Sequence, residues 1–211
     1  MQEQIVKALE WRYAVQSFDS AKKVSEGDLK TILESGRLAP SSYGLEPWKF
    51  IVVESPEVRE RLQAVSYGQP KVSEASHLIV IARRTDAREK IVSERIARTA
   101  TIQNMEESAL VGFKEMLDGV VAGRDDVSLD AWNARQAYIA LGVMMETASL
   151  LGIDNAAMEG FDPRGVDEIL GLKEKNLTAT VMLAVGYRGT DAAADRPKVR
   201  RSFDEVVEFV K

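Results

Sequence analysis

Cysteine is absent from the chain, and histidine occurs once, at His77. Without cysteine there is no disulfide, thiolate nucleophile, zinc–cysteine site or iron–sulfur cluster. A single histidine at the head of an apolar β-branched run leaves a Ser-His-Asp triad or a histidine metal site almost nothing to work with. Its expected role there is structural. No Gly-x-Gly-x-x-Gly follows a strand pattern, and no Gly-x-x-x-x-Gly-Lys-Ser/Thr is present, so Rossmann and P-loop nucleotide sites lack support. An excess of positive charge is missing too. With 28 basic and 33 acidic residues the net charge is −5, and no global basic field recruits nucleic acid or anionic membrane. Apolar runs such as Leu78–Ala82 are too short to span a bilayer. The opening Met1-Gln2-Glu3-Gln4 lacks the basic and apolar regions of a signal peptide. No repeat, low-complexity tract or linker divides the chain. These absences predict one soluble cytoplasmic domain over residues 1–211, with no metal, nucleic-acid or membrane partner. An enzyme so poor in nucleophiles and ligands takes its reactivity from a cofactor.

What is present is an ordinary core-forming composition, 45% apolar and 29% charged over 211 residues, enough to fold without staples. Helical spacing in residues 2–12 ends at Trp11-Arg12-Tyr13. Ser25-Glu26-Gly27-Asp28 reads as the capped start of a second helix that stops near Ala39, before Pro40. Trp48–Val53 reads as a strand, and Ser55-Pro56-Glu57 as another helix start. His77–Ala82 reads as a buried strand. Residues 86–117 are helical but charged, with thinly placed hydrophobics. Leu129–Leu151 reads as a central helix buried on several sides and ended by Gly152. A weak strand over Ile153–Met158, a short helix over Pro163–Leu170 and a buried strand over Thr178–Val185 follow. Strands separated by helices predict an α+β fold, an α/β sandwich with helices on both faces of a mixed sheet. The amphipathic tail after Arg201 has no obvious place in a monomer's core.

Three basic or polar clusters are able to hold an anionic cofactor: Arg12-Tyr13-Ala14-Val15-Gln16, Gln69-Pro70-Lys71, and Arg196-Pro197-Lys198-Val199-Arg200-Arg201. Arginine forks suit phosphate, and lysine supplies a point charge; on charge alone each cluster is more often solvated surface. Pro40-Ser41-Ser42-Tyr43-Gly44 is a loop whose serines ordinarily satisfy backbone groups. Glu159-Gly160-Phe161-Asp162 reads as a turn after a strand.

The order of these segments resembles the FMN-dependent nitroreductase family. Arg12-x-x-x-x-Ser17-Phe18-Asp19 and Ala39-Pro40-Ser41-Ser42-x-Gly44-x-Glu46-Pro47-Trp48-x-Phe50 are similar to its N-terminal signature. Gln69-Pro70 with Ala75-Ser76-His77, Gln136, Glu159-Gly160-Phe161-Asp162, Leu183-x-Val185-Gly186 and Pro197-Lys198-x-Arg200 follow in the family's order, from about residue 8 to 201. Each match is weak alone; together in sequence they are specific.

The resemblance implies a homodimer with two FMN molecules at its interface and a C-terminal arm, about residues 202–211, wrapping the partner. It assigns Arg12, Lys198 and Arg200 to the flavin phosphate, with Tyr13, Ala14 and Gln16 in the same motif. Gln69 and Lys71 fall near the pyrimidine edge, and the Glu159 and Gly160 backbone near N5. Pro40, Ser41, Ser42 and Gly44 line the ring from the other subunit, with Gln136 on the central helix. It implies ping-pong chemistry, in which NAD(P)H delivers a hydride and leaves, and a nitroaromatic or quinone then takes two electrons. The first motif departs from the family pattern, carrying Ala14 for serine and Gln16 for a cation, which weakens stabilisation of the reduced anion; Lys71 is the expected compensator. Gly44 replaces a common asparagine, predicting a less polar or roomier wall. Residues 100–125 are the expected variable pocket, and ordinary packing is the expected role of Tyr67, Phe113 and Met116. Two other readings stay open: a specialised relative, such as a reductive dehalogenase or flavin-cleaving enzyme with a lid in Arg83–Leu117, and a non-catalytic FMN-binding or sequestering protein.

Overall fold

The computed structural model describes all 211 residues. Its centre is a four-stranded sheet of β1 (Trp48–Val53), β2 (His77–Arg84), β3 (Asp154–Met158) and β4 (Leu177–Gly186), in the order β1-β2-β4-β3. Every strand pair in it is antiparallel. The expected mixed sheet is thereby corrected: the parallel element is a single bridge between Ala14 and Asn155. Strand content alone does not reveal direction, because long helical connections permit either sense.

Both faces of the sheet are covered, as β2 and β4 require with most of their residues buried. Odd-numbered residues of β2, Ile79 and Ile81, pack with Val181, Leu183 and Val185 of β4 against α2 (Glu26–Arg37) and α7 (Asp126–Leu150). Even-numbered Leu78, Val80 and Ala82 face Met182, Ala184, Leu62 and Val166, the last two from α3 (Pro56–Ala64) and α8 (Pro163–Leu170). The alternation is the period of two expected of a strand between two layers. α2 and α7 approach closely at Gly36, where an added side-chain carbon would lie 2.6 Å from Met144 Sδ.

The local start and stop signals operate as read. Ser25 Oγ accepts from Asp28 N, Ser55 Oγ accepts from Val58 N, and Pro56 and Pro163 occupy first helical turns. α7 ends on a left-handed Gly152 (φ +71°), with Ile153 N donating to Ala148 O. At 25 residues it is about 37 Å long. It is less enclosed than its sequence predicts, because Ile139 and Leu151 are exposed.

The charged stretch after β2 is helical as expected but not continuous. It breaks at Asn104 (φ 52°) into α5 (Ala87–Gln103) and α6 (Val111–Ala122), joined by a short 3-10 turn. Ile91, Ile96, Leu110, Leu117, Leu129 and Trp132 form a third core there with Leu45, so the sparse apolar residues meet across elements. α1 (Gln2–Trp11) buries no residue, and the tail with α9 (Phe203–Val206) leaves Phe203, Val206, Phe209 and Val210 exposed. α4 (Lys71–Glu74) completes the helices. No helix is long and apolar enough to cross a membrane.

Candidate active site

The Arg12–Gln16 segment leaves α1 in extended geometry and is pinned beside β3 by the Ala14–Asn155 bridge. Arg188 stacks its guanidinium against Trp11 and Tyr13, 4.4 and 4.7 Å from the ring centres. These contacts hold Arg12 at the mouth of a cleft of about 390 Å³ shared with Lys198 and Arg200. Arg12 Nε is buried with no hydrogen-bond partner. Burial, then repulsion from Arg200, lowers the Arg12 pKa; burial, then Arg12 and Arg200, lowers that of Lys198. Lys198 is partly committed already, since its ammonium donates to the carbonyls of Leu9 (2.6 Å) and Arg12 at the C-terminal end of α1. Three cations crowded around one unpartnered donor form a cradle for a polyanion.

Asp191, absent from the sequence-based candidates, organises the next group. Its carboxylate accepts from Tyr13 Oη (3.0 Å), Gln16 N (2.8 Å) and Ala193 N (2.8 Å). Burial, then the Asp191 hydrogen bond, raises the Tyr13 pKa to about 12. Lys71 is buried; burial lowers its pKa, and Asp191 opposes that shift. The Gln16 side chain folds back to donate to Ala14 O at 2.7 Å, leaving Lys71 as the cation of this group.

Gln69 ties the next turn to the sheet end. Its Nε2 donates to Gly160 O at 2.6 Å and Ser66 O at 3.0 Å. A side-chain carbon on Gly160 would meet that amide at 3.1 Å. Glu159 is held from the other side by Tyr138 of α7, whose hydroxyl donates to Oε1 at 2.5 Å. Burial, then the Glu159 hydrogen bond, raises the Tyr138 pKa, so its proton stays in place. Tyr67 is highly exposed, not packed as expected, and its ring lies beside Gly160. Phe113 does pack against the third core, while Met116 is exposed.

The Pro40–Gly44 loop is strained and over-determined. Tyr43 and Glu46, both non-glycine, have φ of 56° and 50°, a conformation that persists only where surroundings enforce it. Gln136 Oε1 accepts from Ser42 N at 2.8 Å while its Nε2 donates to Trp132 O. Both polar ends of Gln136 are thus engaged within the chain. Ser41 Oγ accepts from Glu46 N, and the Glu46 carboxylate pairs with Arg98. At Gly44, where a less polar or roomier wall was expected, the Arg95 guanidinium lies close, 2.8 Å from where a side-chain carbon would sit. No hydrogen bond or ion pair joins this loop to the Arg12, Lys71 or Gln69 groups of the same chain.

The model of the nitroreductase family matches residues 9–187. The chain belongs to the nitroreductase family. A provisionally named NAD(P)H nitroreductase of Staphylococcus saprophyticus is 38% identical over 223 aligned residues, spanning all of this chain and 99% of its own. A crystal structure of a provisionally named nitroreductase of Bacillus subtilis superposes with a TM-score of 0.87 at 21% identity, each chain fully covered. Another from Exiguobacterium sibiricum, described as being in complex with FMN, gives a TM-score of 0.82 at 20% identity, covering 99% of this chain and 96% of that one. These neighbours share the nitroreductase fold.

Proposed function

We propose that this nitroreductase-family protein is an FMN-dependent NAD(P)H oxidoreductase that reduces nitroaromatic or quinone-type small molecules by ping-pong two-electron transfer. The observation that carries the reading is the buried, unpartnered Nε of Arg12 in a cleft shared with Lys198 and Arg200. A phosphate ester there satisfies the orphan donor and answers the cations whose pKa values are lowered by burial first and by mutual repulsion second. The residues present fit FMN. Bound flavin supplies the hydride-exchanging centre that this chain's own side chains lack. Arg12, Lys198 and Arg200 anchor its phosphate, and Lys71 offers positive charge toward the pyrimidine edge. Gln69, Glu159 and Gly160 set the backbone beside the reacting edge, with Tyr138 and Gln69 holding that turn against displacement.

The reading includes a homodimer. Pro40, Ser41, Ser42 and Gly44 are separate from the anion-binding groups within one chain, which fits a wall completed by a second copy. α1 without a buried residue and the exposed Phe203, Val206, Phe209 and Val210 offer apolar surface for that copy, with residues 202–211 as its arm. Residues 1–211 act as one cytoplasmic domain in this reading. α5 and α6 share a core with Leu45 and Trp132, so the charged stretch is a wall of the fold; this favours a reductase over a lid-clamped relative.

Anaerobic stopped-flow absorbance tests the reading. NADH or NADPH is expected to bleach the oxidised-flavin band of the purified protein, and a nitroaromatic or quinone to restore it. A yellow protein that neither nucleotide bleaches points to sequestration, favoured by the uncharged Gln16. Failure to load FMN overturns the reading.

A further inference from the structure

We propose that Arg95 is the acceptor-recognising residue of the site and that its preferred acceptors carry a carboxylate. The inference rests on the reading that the Ser41–Gly44 loop walls the flavin pocket. Gly44 adopts φ +65°, and a side-chain carbon there would lie 2.8 Å from Arg95 Nη2 and 3.3 Å from Nη1. The guanidinium therefore lies against Gly44, in space a side chain there would claim. Arg95 Nε is buried with no hydrogen-bond partner.

Neighbouring arginines are neutralised and Arg95 is not. On α5, Arg88 pairs with Asp126 at 3.0 Å and Arg98 pairs with Glu46; nearby, Arg84 bonds both Asp86 and Glu94. No carboxylate pairs with Arg95. A half-buried guanidinium without a counter-charge is unfavourable until an anion meets it. Its planar fork matches a carboxylate at two points. The loop beneath is held by Gln136, Ser41 and the Glu46–Arg98 pair, so the fork has a fixed backing and orients what it binds.

The test compares unreactive benzoate with benzamide, equal in shape and different in charge, by calorimetric titration of the flavin-loaded protein. Benzoate is expected to bind about tenfold tighter, the scale of one charge-assisted contact. Arg95→Gln is expected to abolish that difference, while Arg88→Gln, altering a cation already paired, retains it. In turnover, Arg95→Gln is expected to raise KM for 4-nitrobenzoate about tenfold with kcat within about twofold, leaving 4-nitrobenzamide unchanged. Equal binding of benzoate and benzamide by the parent protein overturns the proposal. So does an Arg95→Gln protein that keeps the preference, or one that changes only the NADPH-to-NADH ratio. A protein that discriminates through Arg95 yet is not bleached by either nucleotide keeps the anion site and removes the reductase reading. A protein that turns over without discrimination does the reverse.

Discussion

Asp154 and Arg188 form a two-point clasp between the sheet and the segment that carries Arg12. Asp154 Oδ1 accepts from Arg188 Nε and Oδ2 from Arg188 N, each at 2.8 Å. Asp154 is 4% exposed, and the same guanidinium stacks on Trp11 and Tyr13, the residues flanking Arg12. Breaking a buried pair by removing one partner costs about 3 kcal/mol. Asp154→Ala is therefore expected to lower the melting temperature by roughly 6–12 °C, at about 2–4 °C per kcal/mol for this size. It should also speed flavin loss. Scanning calorimetry checks the first outcome and gel filtration of the loaded protein the second; an unchanged melting temperature contradicts the clasp.

Arg12 offers a comparison between two ligands that differ by one phosphate. Arg12→Met is expected to weaken FMN binding by about 1.5–3 kcal/mol, roughly 10- to 150-fold. Riboflavin affinity should be unaffected. Fluorescence titration of the apoprotein reads both, and an equal loss for the two ligands would show that Arg12 acts on the fold and not on phosphate.

Lys71 and Asp191 act in opposite senses on charge near the expected pyrimidine edge. A cation there favours the reduced, more negative flavin, and an anion disfavours it. Lys71→Met is expected to lower the two-electron midpoint potential by on the order of 30 mV, equivalent to about 1.4 kcal/mol. Asp191→Asn is expected to raise it. Spectroelectrochemical titration measures both, and a potential indifferent to Lys71 removes its compensating role.

His77 predicts a pH effect on stability. Its Nδ1 lies 3.1 Å from Ser76 Oγ, which also accepts from Val24 N at 2.8 Å. Burial lowers the His77 pKa; Glu54 opposes this, while Arg59 and Lys23 add to it. With the folded pKa below the unfolded one, the native state binds fewer protons. Its contribution is present above about pH 6.5 and is lost as pH falls through the folded value. His77→Gln is expected to flatten the stability profile across that window in urea titrations; an identical acid limb contradicts this assignment.

Much of the architecture was legible because it rests on short-range signals. Ser25 and Ser55 cap their helices, Pro163 opens the helix over Pro163–Leu170, and β-branched runs mark β2 and β4. Strand direction was not legible, since the connections between strands admit either sense. The break at Asn104 was also hidden, because it depends on α5 and α6 folding over Leu45 and Trp132.

The candidate groups divide in the same way. Arg12 with Lys198 and Arg200, and Gln69 with Gly160, belong to segments that composition and resemblance single out, and the fold brings each group together. Asp191, Tyr138 and Arg95 carried no motif. Tyr138 stands two positions after Gln136, about 200° around the helix, so one residue faces the loop and the other the turn at Glu159.

The family, the layered arrangement of helices and strands, and the cations available for an anion are legible in residue order, because caps, periodicity and ordered motifs are local properties of the chain. Which charges are answered and which stand alone emerges only once the layers are packed. Asp191 reaches Tyr13 across 178 positions, and Arg95 lies on Gly44 from another element. Such pairings depend on how separate layers pack, and electrostatic and steric energies depend on distance in space, not distance along the chain.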